Sequence, residues 1–148
     1  MKIQNTTPRH AAGFTLIEMM VAVSVAGILS SVAYPSFNGQ IHKARRADAL
    51  VAMVQVQAAQ ERWRSVHRDY ATLDDLGLPA RSTASHYALS VTQADDERYE
   101  VLASAVGSQA GDRACRDLKL TLDGASIAYA SGDAPSTDNP AELNRRCW

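Results

Sequence analysis

The chain has 148 residues, 46% of them apolar and 21% charged, with a formal net charge of −1. These proportions exclude a disordered chain, a collagen-like repeat and a polytopic membrane protein, and the near-neutral balance excludes an overall basic field that would gather nucleic acid. Two cysteines, Cys115 and Cys147, stand far apart with no CxxC spacing, so zinc and thioredoxin-like chemistry are not expected.

Residues 1–13, MKIQNTTPRHAAG, carry Lys2 and Arg9 and no acid. Phe14–Tyr34 follows as 21 residues in which Glu18 is the only charge. As a helix this run would be ~31 Å long, matching a hydrocarbon core of about 30 Å. Basic residues ahead of it favour a cytoplasmic N-terminus. Three readings compete. A secretory signal peptide would be cut near Ser31-Val32-Ala33. A plain single-pass anchor would explain the span. Both leave Glu18 without a use, although a carboxylate in lipid costs about 2–3 kcal/mol.

The third reading uses Glu18. Gly13-Phe14-Thr15-Leu16-Ile17-Glu18, behind a short basic leader and ahead of the apolar run, resembles the class III signal of type IV pilins and pseudopilins. The resemblance implies cleavage between Gly13 and Phe14 by a prepilin peptidase and N-methylation of Phe14. It divides the chain into a leader (1–13), a hydrophobic membrane and filament-core helix (14–37) and a periplasmic domain (38–148). Glycine at the scissile bond leaves an extended substrate pose unobstructed. Glu18 becomes the fifth residue of the product, and in the family this glutamate pairs with the N-terminal amine of a neighbouring subunit during filament assembly. An unpartnered buried carboxylate is heavily penalised, so such a pair would select register. The alternative is a Glu18 merely tolerated near the interface.

Gly27 and Pro35 mark an expected helix kink, since proline removes a backbone bond. The stretch between them either loses helicity, as in related filaments, or curves gently. Beyond Asn38-Gly39 the helix is expected to resume over Gln40–Arg68. Ala44, Ala47, Leu50, Val51, Val54 and Ala58 form one apolar strip, and Met53, Val56, Ala59 and Trp63 a second. So wide an apolar sector suits a helix packed on a sheet and also touching other subunits, with the alternative that all of it is one domain's core. His42, Lys43, Arg45 and Arg46 read as a solvated or headgroup-facing patch, or as charges paired in a filament. Tyr70–Ser85 reads as loop. Alternation then predicts strands at His86–Val91, Tyr99–Ala103, Asp117–Leu122 and Ser126–Tyr129, with Asp123-Gly124 as a tight hairpin. Gly107–Arg113 reads as a turn region, and Ser131–Asn144 shows little pattern. The fold class is therefore α+β, a long N-terminal helix packed on a small antiparallel sheet.

The second half extends the resemblance. Gln60-Glu61-Arg62-Trp63, Tyr87-Ala88-Leu89, Cys115–Leu122 and Cys147-Trp148 are similar to PilE-type minor pilins of Gram-negative bacteria. Pilins close a C-terminal region with a disulfide, which here implies Cys115–Cys147 against the alternative of two free buried thiols. A loop of about 33 residues closed this way is worth ~3.5–4 kcal/mol in the chain-entropy model. That gain matters to a thin sheet core. The bond would draw Arg113, Arg116, Lys119, Arg145 and Arg146 together as a DNA or phosphate patch.

No HExxH, GxSxG, Walker A or GxGxxG pattern appears, so no enzyme and no cofactor are expected. Asp133 and Asp138 suggest a calcium loop only weakly. The resemblance implies a minor subunit of a type IV pilus supporting assembly, twitching motility, adhesion and DNA uptake. The alternatives are a DNA-binding uptake pilin and a type II secretion pseudopilin. Implied partners are other major and minor pilins, the prepilin peptidase, the inner-membrane assembly platform and the inner membrane itself, with DNA added in the uptake reading. The protein would sit in the inner membrane before assembly and in an extracellular pilus after it.

Overall fold

The structure, a computed structural model, describes residues 13–92, 94–139 and 144–148. The chain divides into two units, one ending at Phe37 and the other beginning at Asn38. Helix α1 is assigned over Leu16–Arg64, with Gly27 and Pro35 inside the helical span and no break at Asn38-Gly39. In the first unit the apolar side chains of α1 are exposed, Leu16 at 79% and Val32 at 73%. This stretch is long and apolar enough to cross a membrane.

In the second unit α1 buries Ala49, Ala52, Met53, Val56, Ala59 and Gln60. These lie three and four apart, one helical face. The strip Ala44, Ala47, Val51, Val54 and Ala58 is exposed. A single sheet covers only one sector of a helix, so the two apolar strips part here, one into the core and one outward. The helix ends at Arg64, short of the expected Arg68. The Trp63 carbonyl accepts the backbone N–H groups of both Val66 and His67, and the Ser65 hydroxyl donates back to the Arg62 carbonyl at 2.7 Å. Such local bonds compete with further helical turns. The His67 ring stacks on Trp63 with centroids 3.8 Å apart.

Four antiparallel strands form a meander in the order β1-β2-β3-β4. They are β1 (Tyr87–Thr92), β2 (Arg98–Ala105), β3 (Asp117–Asp123) and β4 (Ser126–Gly132). Their alternation puts Tyr87, Leu89, Tyr99, Val101, Ala103, Leu118, Leu120 and Leu122 into one core with the helix face. Gly124 opens the β3–β4 turn at φ +57°, a conformation glycine adopts without strain. Between β2 and β3, two short 3₁₀ helices, Gly107–Gly111 and Arg113–Cys115, replace the plain turn expected from composition.

Side-chain amides and one carboxylate tie the connections down. The buried Gln60 carboxamide donates to the Ala71 carbonyl at 2.7 Å and accepts its N–H at 2.9 Å, anchoring the chain after α1. Asp48 accepts from the Ser82 hydroxyl and from the N–H groups of Ala84 (3.0 Å) and His86 (3.3 Å). Burial pushes the Asp48 carboxyl up, but these three donors outweigh it and hold the group below its ordinary value. The segment after β4, expected to lack pattern, is anchored by asparagines. Asn139 pairs with both the N–H and the carbonyl of Ser131. The Asn144 amide donates to the Tyr129 carbonyl at 2.6 Å and accepts from the Ser131 hydroxyl at 2.8 Å. Isolated anchors of this kind have no period, so alternation does not reveal them. Cys115 and Cys147 form a disulfide.

Candidate functional site

The expected site residues fall in two places, one in each unit. In the first, Gly13 and Phe14 are exposed; the rest of the expected leader, residues 1–12, lies outside the described residues. Thr15 caps α1. Its N–H donates to Glu18 Oε2 at 3.1 Å, its hydroxyl donates to the same oxygen at 3.2 Å, and the Glu18 N–H donates to Thr15 Oγ1 at 3.3 Å. This is a reciprocal capping box. The spacing Thr15-x-x-Glu18 ahead of an apolar run announces it in the sequence, although the pilin motif draws the eye to Glu18 alone.

The second site surrounds the disulfide. The bond joins the 3₁₀ turn at Arg113–Cys115 to the segment carrying Arg145 and Arg146. Arg113, Arg145 and Arg146 line one cleft of about 660 Å³, with Asp133, Asn139 and the β4 end as its remaining wall. Three guanidinium groups against one carboxylate make it electropositive, on a chain whose net charge is −1.

Of the five residues of the expected patch, Arg113, Arg145 and Arg146 line this cleft, and Arg116 and Lys119 do not. Lys119 projects from β3 toward Glu100 of β2, 3.6 Å away, because Lys119 sits opposite Leu102 on the outward face of the sheet. It lines a neighbouring groove of about 810 Å³ with Tyr129 and Trp148, which Arg145 also borders. The Arg116 Nε donates to the Ala110 carbonyl at 3.2 Å and does not line the cleft. Asp133 and Asp138, the weak calcium candidates, line different hollows.

The basic cluster early in the second unit is also corrected. Arg45 donates to the Ser108 hydroxyl at 2.8 Å. Arg46 is only 14% exposed and grips Asp112 with two bonds, Nε to Oδ2 at 2.7 Å and Nη2 to Oδ1 at 3.0 Å. Its Nη1 donates to the Arg146 carbonyl. The His42 ring meets the fully buried Gln109, whose amide donates to the His42 carbonyl and the Tyr87 hydroxyl. Burial raises the Tyr87 phenol above its ordinary range, so it stays neutral beside that amide. Lys43 alone of the four is exposed. The sequence shows the charges but not their acceptors, which come from a loop more than sixty residues away.

The α+β fold, the disulfide near the C-terminus and the apolar helix behind the Gly13–Glu18 motif together define a pilin-type subunit. The prokaryotic N-terminal methylation motif matches residues 8–34. The family described as "Type IV minor pilin ComP, DNA uptake sequence receptor" matches residues 35–119, more than half of the chain. The chain belongs to this family of type IV minor pilins, whose members are structural proteins. It is 26% identical to the type IV major pilin protein PilE1 of Neisseria gonorrhoeae over 86% of this chain and 60% of that protein. It is 29% identical to the type IV major pilin protein PilA of Myxococcus xanthus over 66% of this chain and 44% of that protein. A type II secretion system core protein G of Vibrio cholerae is 36% identical over 51% of each chain. The chain therefore spans between 44 and 60% of the length of these relatives.

Proposed function

We propose that this chain is a minor subunit of a type IV pilus that holds DNA during uptake, with the cleft of Arg113, Arg145 and Arg146 as the phosphate-binding surface. The observation that carries the reading is the convergence of those three arginines on one cleft beside the Cys115–Cys147 bond. Its family, described as a DNA uptake sequence receptor, supports it. Arginine suits the task because its planar fork meets phosphate oxygens two at a time. Contacts of this kind position the protein on the backbone, leaving sequence to be read by other groups.

In the same reading, prepilin peptidase cuts between Gly13 and Phe14 and methylates Phe14. Glu18 then pairs with a neighbour's amine as the subunit leaves the inner membrane for the filament, through the assembly platform and beside other pilins. Twitching motility and adhesion belong to the filament as a whole. Gel-shift or anisotropy titration of the full-length, detergent-solubilised protein with duplex DNA tests the binding. Arg145→Gln with Arg146→Gln should weaken it about tenfold or more at low salt and flatten its salt dependence by about 0.9 log units per phosphate contact removed. Duplex binding unchanged in that double variant would refute the assignment.

A further inference from the structure

Arg46 is only 14% exposed, and each of its three guanidinium nitrogens donates to a group of the protein itself. Nε and Nη2 hold the Asp112 carboxylate, and Nη1 holds the Arg146 carbonyl. Asp112 immediately precedes Arg113, and its own carbonyl accepts the Cys115 N–H at 3.0 Å. Arg146 immediately follows Arg145 and precedes Cys147. One side chain from α1 therefore ties both sides of the cationic cleft, through the Asp112 carboxylate on one and the Arg146 carbonyl on the other. The disulfide joins the same two segments, three residues past Asp112 and one past Arg146, so the cleft is closed by two crosslinks, one covalent and one ionic. Asp112 is 8% exposed, and Gln109 supplies it a further donor at 3.3 Å. Removing one partner of a buried ion pair is strongly destabilising, so the two segments depend on Arg46 staying in place.

We propose that Arg46 is the positioning residue of the cleft, setting the spacing of Arg113 from Arg145 and Arg146 without touching the ligand. This rests on the reading of the cleft as a phosphate-binding surface. Three separate bonds from one planar group are the reason an arginine is required, since a lysine ammonium in the same place is a point charge without the fork. Arg46→Lys preserves charge and most of the side-chain length, so it probes geometry and not net charge.

The experiment uses the full-length protein in detergent, as wild type, Arg46→Lys, Arg146→Gln, the Arg46→Lys/Arg146→Gln double variant and Gln60→Ala. Gln60 is buried at the Ala71 anchor, and its loss should destabilise the domain without entering the cleft. Duplex affinity is measured by anisotropy across a salt series. Arg46→Lys should bind roughly five- to twentyfold more weakly at low salt, with a flatter salt slope. The double variant should lose less than the product of the two single losses, because both act on Arg146. Gln60→Ala should bind as wild type does at temperatures where it is folded. Hydrogen exchange of the unliganded proteins gives a readout that needs no DNA: amides at 113–115 and 145–148 should exchange faster in Arg46→Lys than in wild type. Wild-type affinity and slope in Arg46→Lys, an equal loss in Gln60→Ala, or unchanged exchange at both segments would each overturn the positioning role. Faster exchange at those segments, with no duplex binding by any variant, would overturn the DNA reading and leave Arg46 a clamp of an unrelated surface.

Discussion

Thr15 and Glu18 satisfy one another within the first turn of a helix whose neighbouring side chains are apolar and exposed. In lipid no water is present to replace a lost partner, so each donor left over is expensive. Glu18→Ala removes a charge from the apolar segment but strands the Thr15 N–H and hydroxyl. We expect membrane insertion to survive and incorporation into sheared pili to fall several-fold, as read by immunoblot against total cell protein. Normal incorporation would remove Glu18 from the assembly mechanism. Processing is checked by intact mass, which should correspond to an N-methylated chain starting at Phe14. A chain starting at Tyr34 or retaining Met1 would contradict the motif. In the second unit, Asp48 makes stability depend on pH. Its carboxyl lies below its ordinary value of 3.8 in the folded protein. The stabilisation is therefore complete above about that pH and is lost as pH falls through the lower folded value. Melting temperature should drop more steeply below pH 4 in wild type than in Asp48→Asn, whose three donors face a neutral amide at every pH. Parallel curves would exclude Asp48 as a source of the acid sensitivity.

At the level of elements, β4 is an edge strand, and an exposed edge offers free backbone groups to other chains. Asn139 occupies that edge as a strand residue would, with its amide on the Ser131 carbonyl and its oxygen on the Ser131 N–H. Asn144 takes the next outward carbonyl, that of Tyr129. Asn139→Ala should cost about 1–2 kcal/mol and raise hydrogen exchange at the Ser131 amide specifically; protection equal to wild type would show that the edge is held by something else. The sequence disclosed the strands because Leu118, Leu120 and Leu122 alternate, and it disclosed the second helix strip because Met53, Val56, Ala59 and Trp63 fall on one face. It could not say which of two apolar strips meets the sheet, since periodicity fixes a face and not its partner. It also missed Asn139, Asn144, Gln60 and Asp112. Each acts as one isolated side chain making two or more hydrogen bonds to a distant segment, and one residue has no period. Of the cationic patch, the pair Arg145-Arg146 was legible beside Cys147. Lys119 lines the neighbouring groove instead of this cleft, since proximity to Cys115 along the chain says nothing about the side of the strand it faces.

For the molecule as a whole, the disulfide bears much of the stability of a small sheet core. Cys147→Ser, or reduction of the wild-type protein, should destabilise the second unit by about 2–4 kcal/mol. The measurement is thermal melting with and without reductant, with free-thiol titration of the oxidised sample as control. An unchanged melting point on complete reduction would show that the asparagine anchors and Arg46 suffice alone.

Arg145-Arg146 is also a dibasic dipeptide, the bond a trypsin-like protease prefers. Both side chains are exposed, yet Asn144 before them and Cys147 after them are 3% and 4% exposed. A protease must draw a stretch of main chain into an extended pose, and that requires local opening. The side chains advertise a cleavage site that the backbone withholds. Limited tryptic digestion should leave this bond whole in the oxidised protein and cut it soon after reduction, so fragments ending at Arg145 or Arg146 would report the redox history of the molecule.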